Sequence, residues 1–394
     1  MHFFHPTPID IVDQFIASTT KGKYFNHVLE PCVGDGALLT SLENNFNNLT
    51  IIDIDSEKLK KFQNKTYKTY EGDFLEIQLD EKFDLILCNP PFNNKSISGL
   101  SIEEKFLSKC LNLLEYEGFG IFILPSSIVN GTKAKKIREY LIKNFTILSI
   151  DILPKNSFNK IESHFYIIKL QNILPSKNYI FETNMGKINI QDILISNHLT
   201  LNPKVLFNSL NYEKFLSVFP SFNLANESLF RGNTNKNQSQ VHTTHFSSHF
   251  FTPKNILPYK EGGKKIKKYD LIFKRVGRNC QNSFSIYLGK ESLVVSDCII
   301  VIPCSSNNYL NNLIRLLNIR LSVLFGASSS FMIDGSGANY IPVEKIKNTS
   351  FINFENYLTK KEINEYHFLL LENDIKNLLI FENKLKYKIT KTIY

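Results

Sequence analysis

The 394-residue chain has no tryptophan and only three methionines. Its aromatic surface comes instead from 32 Phe and 17 Tyr. The six cysteines (Cys32, Cys88, Cys110, Cys280, Cys298 and Cys304) include no CxxC pair and have no histidine cluster beside them. That spacing excludes the usual zinc sites and a disulfide framework, so no metal is expected. Free thiols suit a reducing compartment. No apolar run approaches the roughly 18 residues that span a bilayer. The start, "MHFFHPTPIDIVDQF", lacks the basic head and apolar core of a signal peptide. A soluble, cytoplasmic protein with no membrane partner is expected. No fixed-period repeat is present, which excludes a solenoid.

What is present is ordinary globular composition, 43% hydrophobic and 21% charged. The length gives roughly two to three domains. Forty-six basic residues against 37 acidic give a net charge of +9. Such a balance favours an anionic partner without selecting a fold.

The first half alternates short apolar runs with amphipathic ones. "HVLEPC", "LTIIDID", "KFDLILCN", "FGIFILP", "TILSIDILP" and "SHFYIIKL" read as strands. "GALLTSLENNF", "SEKLKKFQN" with Ser56 as cap, "SIEEKFLSKCLNLLEYEG" closing at Gly118, and "KAKKIREYLIKNF" read as helices. This alternation predicts a doubly wound, Rossmann-like α/β sheet with parallel central strands. The character changes near residue 205, predicting domains over 1–204 and 205–394. The second is expected to be mixed and β-rich, with a helical end.

Ligands of such sheets bind at the carboxyl ends of the strands, and four of those ends carry chemistry. "LEPCVGDGALL" places Gly34 and Gly36 in a turn, without the GxGxxG pattern. Glu30 and Asp35 there suit a ligand with a positive charge. "IIDID" offers Asp53 or Asp55 to ribose hydroxyls. "EGDFLE" sets Asp73, an acceptor for an adenine amino group, beside Phe74, an aromatic face. The fourth end is "NPPF", Asn89 to Phe92. An exocyclic amino group on a nucleobase is a poor nucleophile because its lone pair is delocalised. The side-chain carbonyl of Asn89 and the backbone carbonyl of Pro90 can accept from that NH₂ and localise the pair. Two prolines hold the acceptors in place, and Phe92 offers a stacking face.

The order "HPTPIDIVDQF", "LEPCVGDG", "IIDID", "GDF", "NPPF" resembles the class I S-adenosylmethionine-dependent DNA amino-methyltransferases of the γ arrangement, in their adenine-N6 branch. The resemblance covers about residues 1–200. It implies that S-adenosyl-L-methionine is held by Thr7 and Pro8, by Glu30, Pro31, Gly34 and Gly36, by Asp53, by Asp73 and Phe74, and by Asn89. It makes Asn89, Pro90, Pro91 and Phe92 the catalytic tetrapeptide. Phe158, with Phe165 as alternative, is implied to pack on an extruded base together with Phe92. Phe92 replaces the more frequent Tyr, and Cys32 and Val33 stand where small residues are usual.

By position, residues from about 205 fill the role of the family's target-recognition domain. "SLVVSDCIIVIP", "LLNIRLSVLF" and "GSGANYIPVEKIKN" are also similar to recognition domains of restriction-system specificity subunits. Basic residues concentrate between Lys254 and Arg278, where Lys260, Lys264, Lys265, Lys267, Lys268, Lys274 and Arg275 face only Glu261 and Asp270 in number. Lys264, Lys265, Lys274, Arg275 and Arg278 are the expected contacts to double-stranded DNA. The expected function is adenine-N6 methylation of a site in duplex DNA by a monomer. It would be either an orphan methylase or the modification partner of a separately encoded restriction endonuclease. Methylation of RNA, of a protein glutamine or of cytosine N4, and a binding module with an inactive methylase fold, are the competing expectations. No nuclease domain is expected before the cofactor segment.

Overall fold

The computed structural model describes residues 5–62, 67–92, 99–131, 133–158, 164–196, 199–233, 240–247, 250–251, 263–277, 279–304, 309–327 and 340–392. The chain divides into two units, Met1–Leu206 and Phe207–Tyr394. The division lies two residues beyond the boundary expected from the sequence.

Among the described residues, the first unit is built on nine strands: β1 Phe25–Glu30, β2 Phe46–Asp53, β3 Lys68–Glu71, β4 Phe83–Cys88, β5 Leu114–Pro125, β6 Thr146–Ile152, β7 Phe165–Gln171, β8 Ile180–Thr183 and β9 Gly186–Asn189. Their order in the sheet is β3-β2-β1-β4-β5-β7-β6-β8-β9. The pairs from β3 through β5 are parallel, and β7 runs antiparallel to both neighbours. This is the doubly wound α/β architecture that the alternation predicts. A parallel strand covered on both faces must be apolar throughout. In β4, Leu85, Ile86 and Leu87 are fully buried. The one acid in β4, Asp84, accepts from the backbone N–H of Asn26 and His27 at 2.6 and 2.8 Å, which ties β4 to the start of β1. Pairing sets Val28 beside Leu85, Glu30 beside Ile51, and Asp53 beside Glu71. The carboxyl ends of β1, β2, β3 and β4 therefore share one edge of the sheet.

Three helical expectations change. "GALLTSLENNF" forms only a 3₁₀ turn, Leu38–Leu42, before Glu43 and Asn44 turn left-handed and β2 begins at Phe46. Its place over the sheet is shared with the N-terminal segment. There Ile11, Val12, Phe15 and Ile16 pack in one apolar cluster with Leu38, Leu42, Leu85 and Leu87. The helix after Ser101 covers Ile102–Leu113 and stops five residues short of Gly118, because β5 starts at once with Leu114. Asp55, rather than Ser56, caps the short helix Ser56–Lys60, accepting from Glu57 N at 3.0 Å.

The second unit is mixed, as its sequence suggests. Antiparallel strands Phe230–Arg231, Ile299–Ile302, Leu271–Lys274 and Ser285–Ile286 form a four-stranded sheet in that order. Helices Tyr309–Phe325, Lys360–Leu371 and Ile375–Lys391 complete its apolar core. The C-terminal helical run is broken at Asn373, which is left-handed at φ 53°. A helix over Pro203–Val218 has no counterpart among the sequence expectations.

Candidate active site at the carboxyl edge of the first sheet

The strand ends surround a cavity of about 280 Å³. Thr7, Glu30, Pro31, Asp53, Asp73, Phe74, Asn89, Pro90, Pro91 and Phe92 all line it. Pro8, Gly34, Gly36 and Phe158 are not in the lining. Pro8 precedes the first helical residues, Ile9–Ile11. Gly34 and Gly36 shape the turn after β1 at φ 51° and 77°, in the region L side chains avoid. A Cβ on Gly36 would meet the Phe62 ring at 2.7 Å.

Asn89 is the best-defined polar group of the site. Its Nδ2 donates to Thr7 Oγ1 at 2.8 Å, which turns the amide. Its Oδ1 is buried and has no hydrogen-bond partner. A buried carbonyl without a donor carries a desolvation cost unless a ligand supplies one. Beneath it, the Cys32 thiol donates to the backbone carbonyl of Asn89 at 3.1 Å, tying the turn after β1 to the loop after β4. Cys88, in the strand itself, is buried, and burial pushes its thiol up.

The acids differ in state. Glu30 is 2% exposed, and its Oε2 has no partner. Burial first, then the neighbouring Cys32 and Asp53, holds its carboxyl well above the usual range. Asp53 accepts from Gly34 N at 2.7 Å and from Asp55 N at 2.9 Å, so it braces the turn. A carboxylate has about four lone-pair sites, so capacity for hydroxyl donors remains. Asp55 is used as the helix cap. Asp35 also lines the cavity and is bound by Lys58 and Lys61, whose hydrogen bonds hold its carboxyl below the usual range. Asp73 accepts from Leu75 N at 2.9 Å.

The aromatic residues fall into two groups. Phe74 packs on Phe106 with centroids 5.2 Å apart, and the Lys109 ammonium lies 4.7 Å from the Phe74 centroid. Phe92 touches Phe158 at 5.6 Å and Phe165 at 4.6 Å, so both candidates for the late aromatic join one cluster. His5 completes that cluster, nearly parallel to Phe92 at 28° and 6.2 Å. Sequence reasoning passed over His5, Lys109 and the Cys32 thiol. His5 alone had a signal, its place two residues before Thr7.

In the second unit, Lys264 and Lys265 lie at a two-stranded ribbon, where Lys265–Ile266 pairs with Leu293–Val294. The Lys264 ammonium stands 5.6 Å from the Phe230 centroid. Lys274 ends a strand of the four-stranded sheet and is half-buried, which lowers its pKa. Arg275 Nε donates to the Asp297 carbonyl at 2.9 Å. Arg278, like Lys254 and Lys260, lies outside the described residues.

Residues 25–158 match the family described as "Eco57I restriction-modification methylase". The type II methyltransferase M.CvrRI of Paramecium bursaria Chlorella virus XZ-6E is 26% identical over 206 residues, 47% of this chain and 52% of that protein. The type II methyltransferase M.AccI of Acinetobacter calcoaceticus is 26% identical over 181 residues, 38% of this chain and 32% of that protein. The matches thus span about half, or less, of the length of these curated relatives. Among solved structures, the type IIG restriction endonuclease BpuSI aligns with a TM-score of 0.49 at 12% identity, over 93% of this chain and 60% of that one. Over residues 25–158, then, the chain is related to the Eco57I restriction-modification methylases.

Proposed function

We propose that the first unit binds S-adenosyl-L-methionine and methylates the N6 amino group of an adenine extruded from duplex DNA. The second unit, residues 205–394 in the sequence division, delivers the recognition site. The observation that carries this reading is the unpartnered Oδ1 of Asn89 inside a cavity that Glu30, Asp53 and Asp73 also line. An acceptor held without a donor is what an incoming NH₂ needs, and preorganisation of this kind costs nothing at the moment of reaction.

Four strand ends divide the work. Glu30, with no nearby cation among its described contacts, suits a positively charged portion of the cofactor. Asp53 has capacity for ribose hydroxyls, and Asp73 with Phe74 suits the adenine amino group and ring. The bound cofactor supplies a methyl group already activated by a sulfonium. The chain then needs only to place a nucleophile in line with it. Asn89 Oδ1 and the Pro90 carbonyl accept the two amino hydrogens and draw the nitrogen lone pair out of conjugation. Phe92 stacks on the base. The methylated nitrogen, cationic once its lone pair is used, is strongly acidic and gives its extra proton to solvent; the two amide carbonyls only orient its N–H bonds.

Homology to restriction-modification methylases supports DNA over RNA or protein as substrate. We expect either a solitary methylase or the modification partner of a separate nuclease, acting as a monomer. The test is nucleoside mass spectrometry of duplex DNA incubated with the protein and labelled cofactor. N6-methyladenine is the expected product; N4-methylcytosine would move the assignment to the other amino-bearing base. Asn89→Ala is expected to bind cofactor within about threefold of wild type and to lose at least about a hundredfold in turnover. Turnover near wild type in that variant would sink the mechanism.

A further inference from the structure

Among the described residues, the proposed chemistry leaves one buried, unpartnered polar atom of the cavity without a task. His5 Nε2 is buried and has no hydrogen-bond partner, like Asn89 Oδ1. His5 lines the same cavity as Asn89, Pro90 and Phe92. Its ring lies almost parallel to Phe92, with centroids 6.2 Å apart. Two residues further on, Thr7 fixes the Asn89 amide. Three features of the base-facing wall therefore arise from one short segment and one loop.

The groups already assigned to the base are acceptors and an aromatic face. A nucleobase that offers an amino donor also offers ring-nitrogen acceptors beside it. Adenine has N1 next to the amino-bearing carbon and N7 on the other side. Acceptors alone recognise half of that pattern. A donor is needed for the other half, and a buried ring nitrogen left unpaired would cost binding. Burial also lowers the His5 pKa, which keeps the imidazole neutral with a single N–H.

We propose that His5 is a specificity residue, donating from Nε2–H to a ring nitrogen of the extruded base while Asn89 accepts from its amino group. This rests on the reading of the cavity as an amino-methyltransferase site. The cofactor-facing acids stand at the ends of β1 and β2 and in the turn after β3, whereas His5 packs on Phe92 in the loop after β4. That placement assigns His5 to the base rather than to the cofactor.

The experiment compares duplexes that carry adenine, 1-deazaadenine or 7-deazaadenine at the methylated position. Each is methylated by wild type, His5→Phe and His5→Gln, with cofactor affinity titrated separately. Phe keeps the stack on Phe92 and removes the donor; Gln restores an N–H. Wild type is expected to lose about tenfold or more in kcat/KM on one of the two analogues. His5→Phe should lose a similar factor on natural DNA and show no further loss on that analogue. His5→Gln should regain the sensitivity, and all three should bind cofactor alike. Comparing proteins on the same analogue cancels the altered nucleophilicity of the deaza base. Equal analogue sensitivity in wild type and His5→Phe overturns the proposal. So does wild-type indifference to both analogues, or a fall in cofactor affinity that accounts for the lost activity. A wild-type protein that leaves natural duplex unmethylated removes the amino-methyltransferase reading itself, and this proposal with it. That failure is seen before any variant is compared.

Discussion

Glu30 shows most directly how burial and ligand chemistry are coupled at a single residue. Its carboxyl is enclosed at the end of β1, with one oxygen unpartnered. Its pKa in the folded chain is raised above the ordinary 4.5, chiefly by desolvation. The sign of the linkage follows. A raised folded-state pKa means that the folded chain binds this proton more tightly than the unfolded chain does. The associated stability is present below pH 4.5 and is lost as the pH climbs through the raised value. Glu30→Gln removes that loss. Without ligand, the variant should melt above wild type at pH 8 and together with it at pH 4, as read by thermal unfolding. A cation bound beside Glu30 reverses the preference, because it favours the carboxylate. Cofactor affinity should therefore rise with pH in wild type, with a proton released on binding. In Glu30→Gln it should be weaker and flat over the same range. Identical pH profiles would remove Glu30 from the cofactor site.

At the level of elements, the second unit joins its helices through a buried ion pair. Arg320, on helix Tyr309–Phe325, meets Glu382 on helix Ile375–Lys391; its Nη2 donates to Glu382 Oε2 at 2.9 Å. The Tyr366 hydroxyl, on Lys360–Leu371, donates to the other oxygen of Glu382 at 3.0 Å. Arg320 also donates to the carbonyls of Asn282 and Phe284, and its guanidinium stands 3.9 Å from the Phe250 centroid. Removing one member of a buried pair strands the other. Arg320→Met should cost about 3–5 kcal/mol in urea unfolding, and Arg320→Met with Glu382→Leu should recover part of it, since the Asn282 and Phe284 carbonyls stay without Arg320 and the Tyr366 hydroxyl loses Glu382. A double variant no more stable than the single one would contradict this account.

No sequence pattern announced that pair, since Arg320 and Glu382 are 62 residues apart. The same holds for Asp35, which Lys58 and Lys61 bind from 23 and 26 residues away. The strands of the first unit were legible for the opposite reason. A parallel strand buried on both faces is a continuous apolar run, and an acid or "NPPF" marks where it leaves the sheet. The helix expected after Gly36 was misjudged because the N-terminal segment helps cover that part of the sheet, a competition invisible in local spacing. His5 was missed because a lone histidine gains meaning only when its ring is seen against Phe92 and its nitrogen is seen to lack a partner.

For the molecule as a whole, the net charge of +9 matters through where it is concentrated. In the described part of the second unit, Lys264, Lys267 and Lys268 are exposed and Lys265 is half-exposed around the strand Lys265–Ile266. Arg275 by contrast spends a donor on the Asp297 carbonyl, and Lys274 is half-buried. Of the described residues expected to contact DNA, the lysines near 265 are the more exposed and so the better candidates to neutralise phosphates. Each phosphate contact releases counterions, so log affinity falls with log salt by about 0.9 per contact. Replacing Lys264, Lys265, Lys267 and Lys268 together by Gln should weaken DNA binding on every sequence and reduce that slope by about one for each lysine that touches a phosphate. Cofactor affinity, which the proposed function places in the first unit, should stay unchanged. Fluorescence anisotropy on specific and scrambled duplexes across a salt series reads both quantities. An unchanged slope would move the phosphate contacts away from this ribbon. A loss confined to the specific duplex would instead make these lysines readers of base edges.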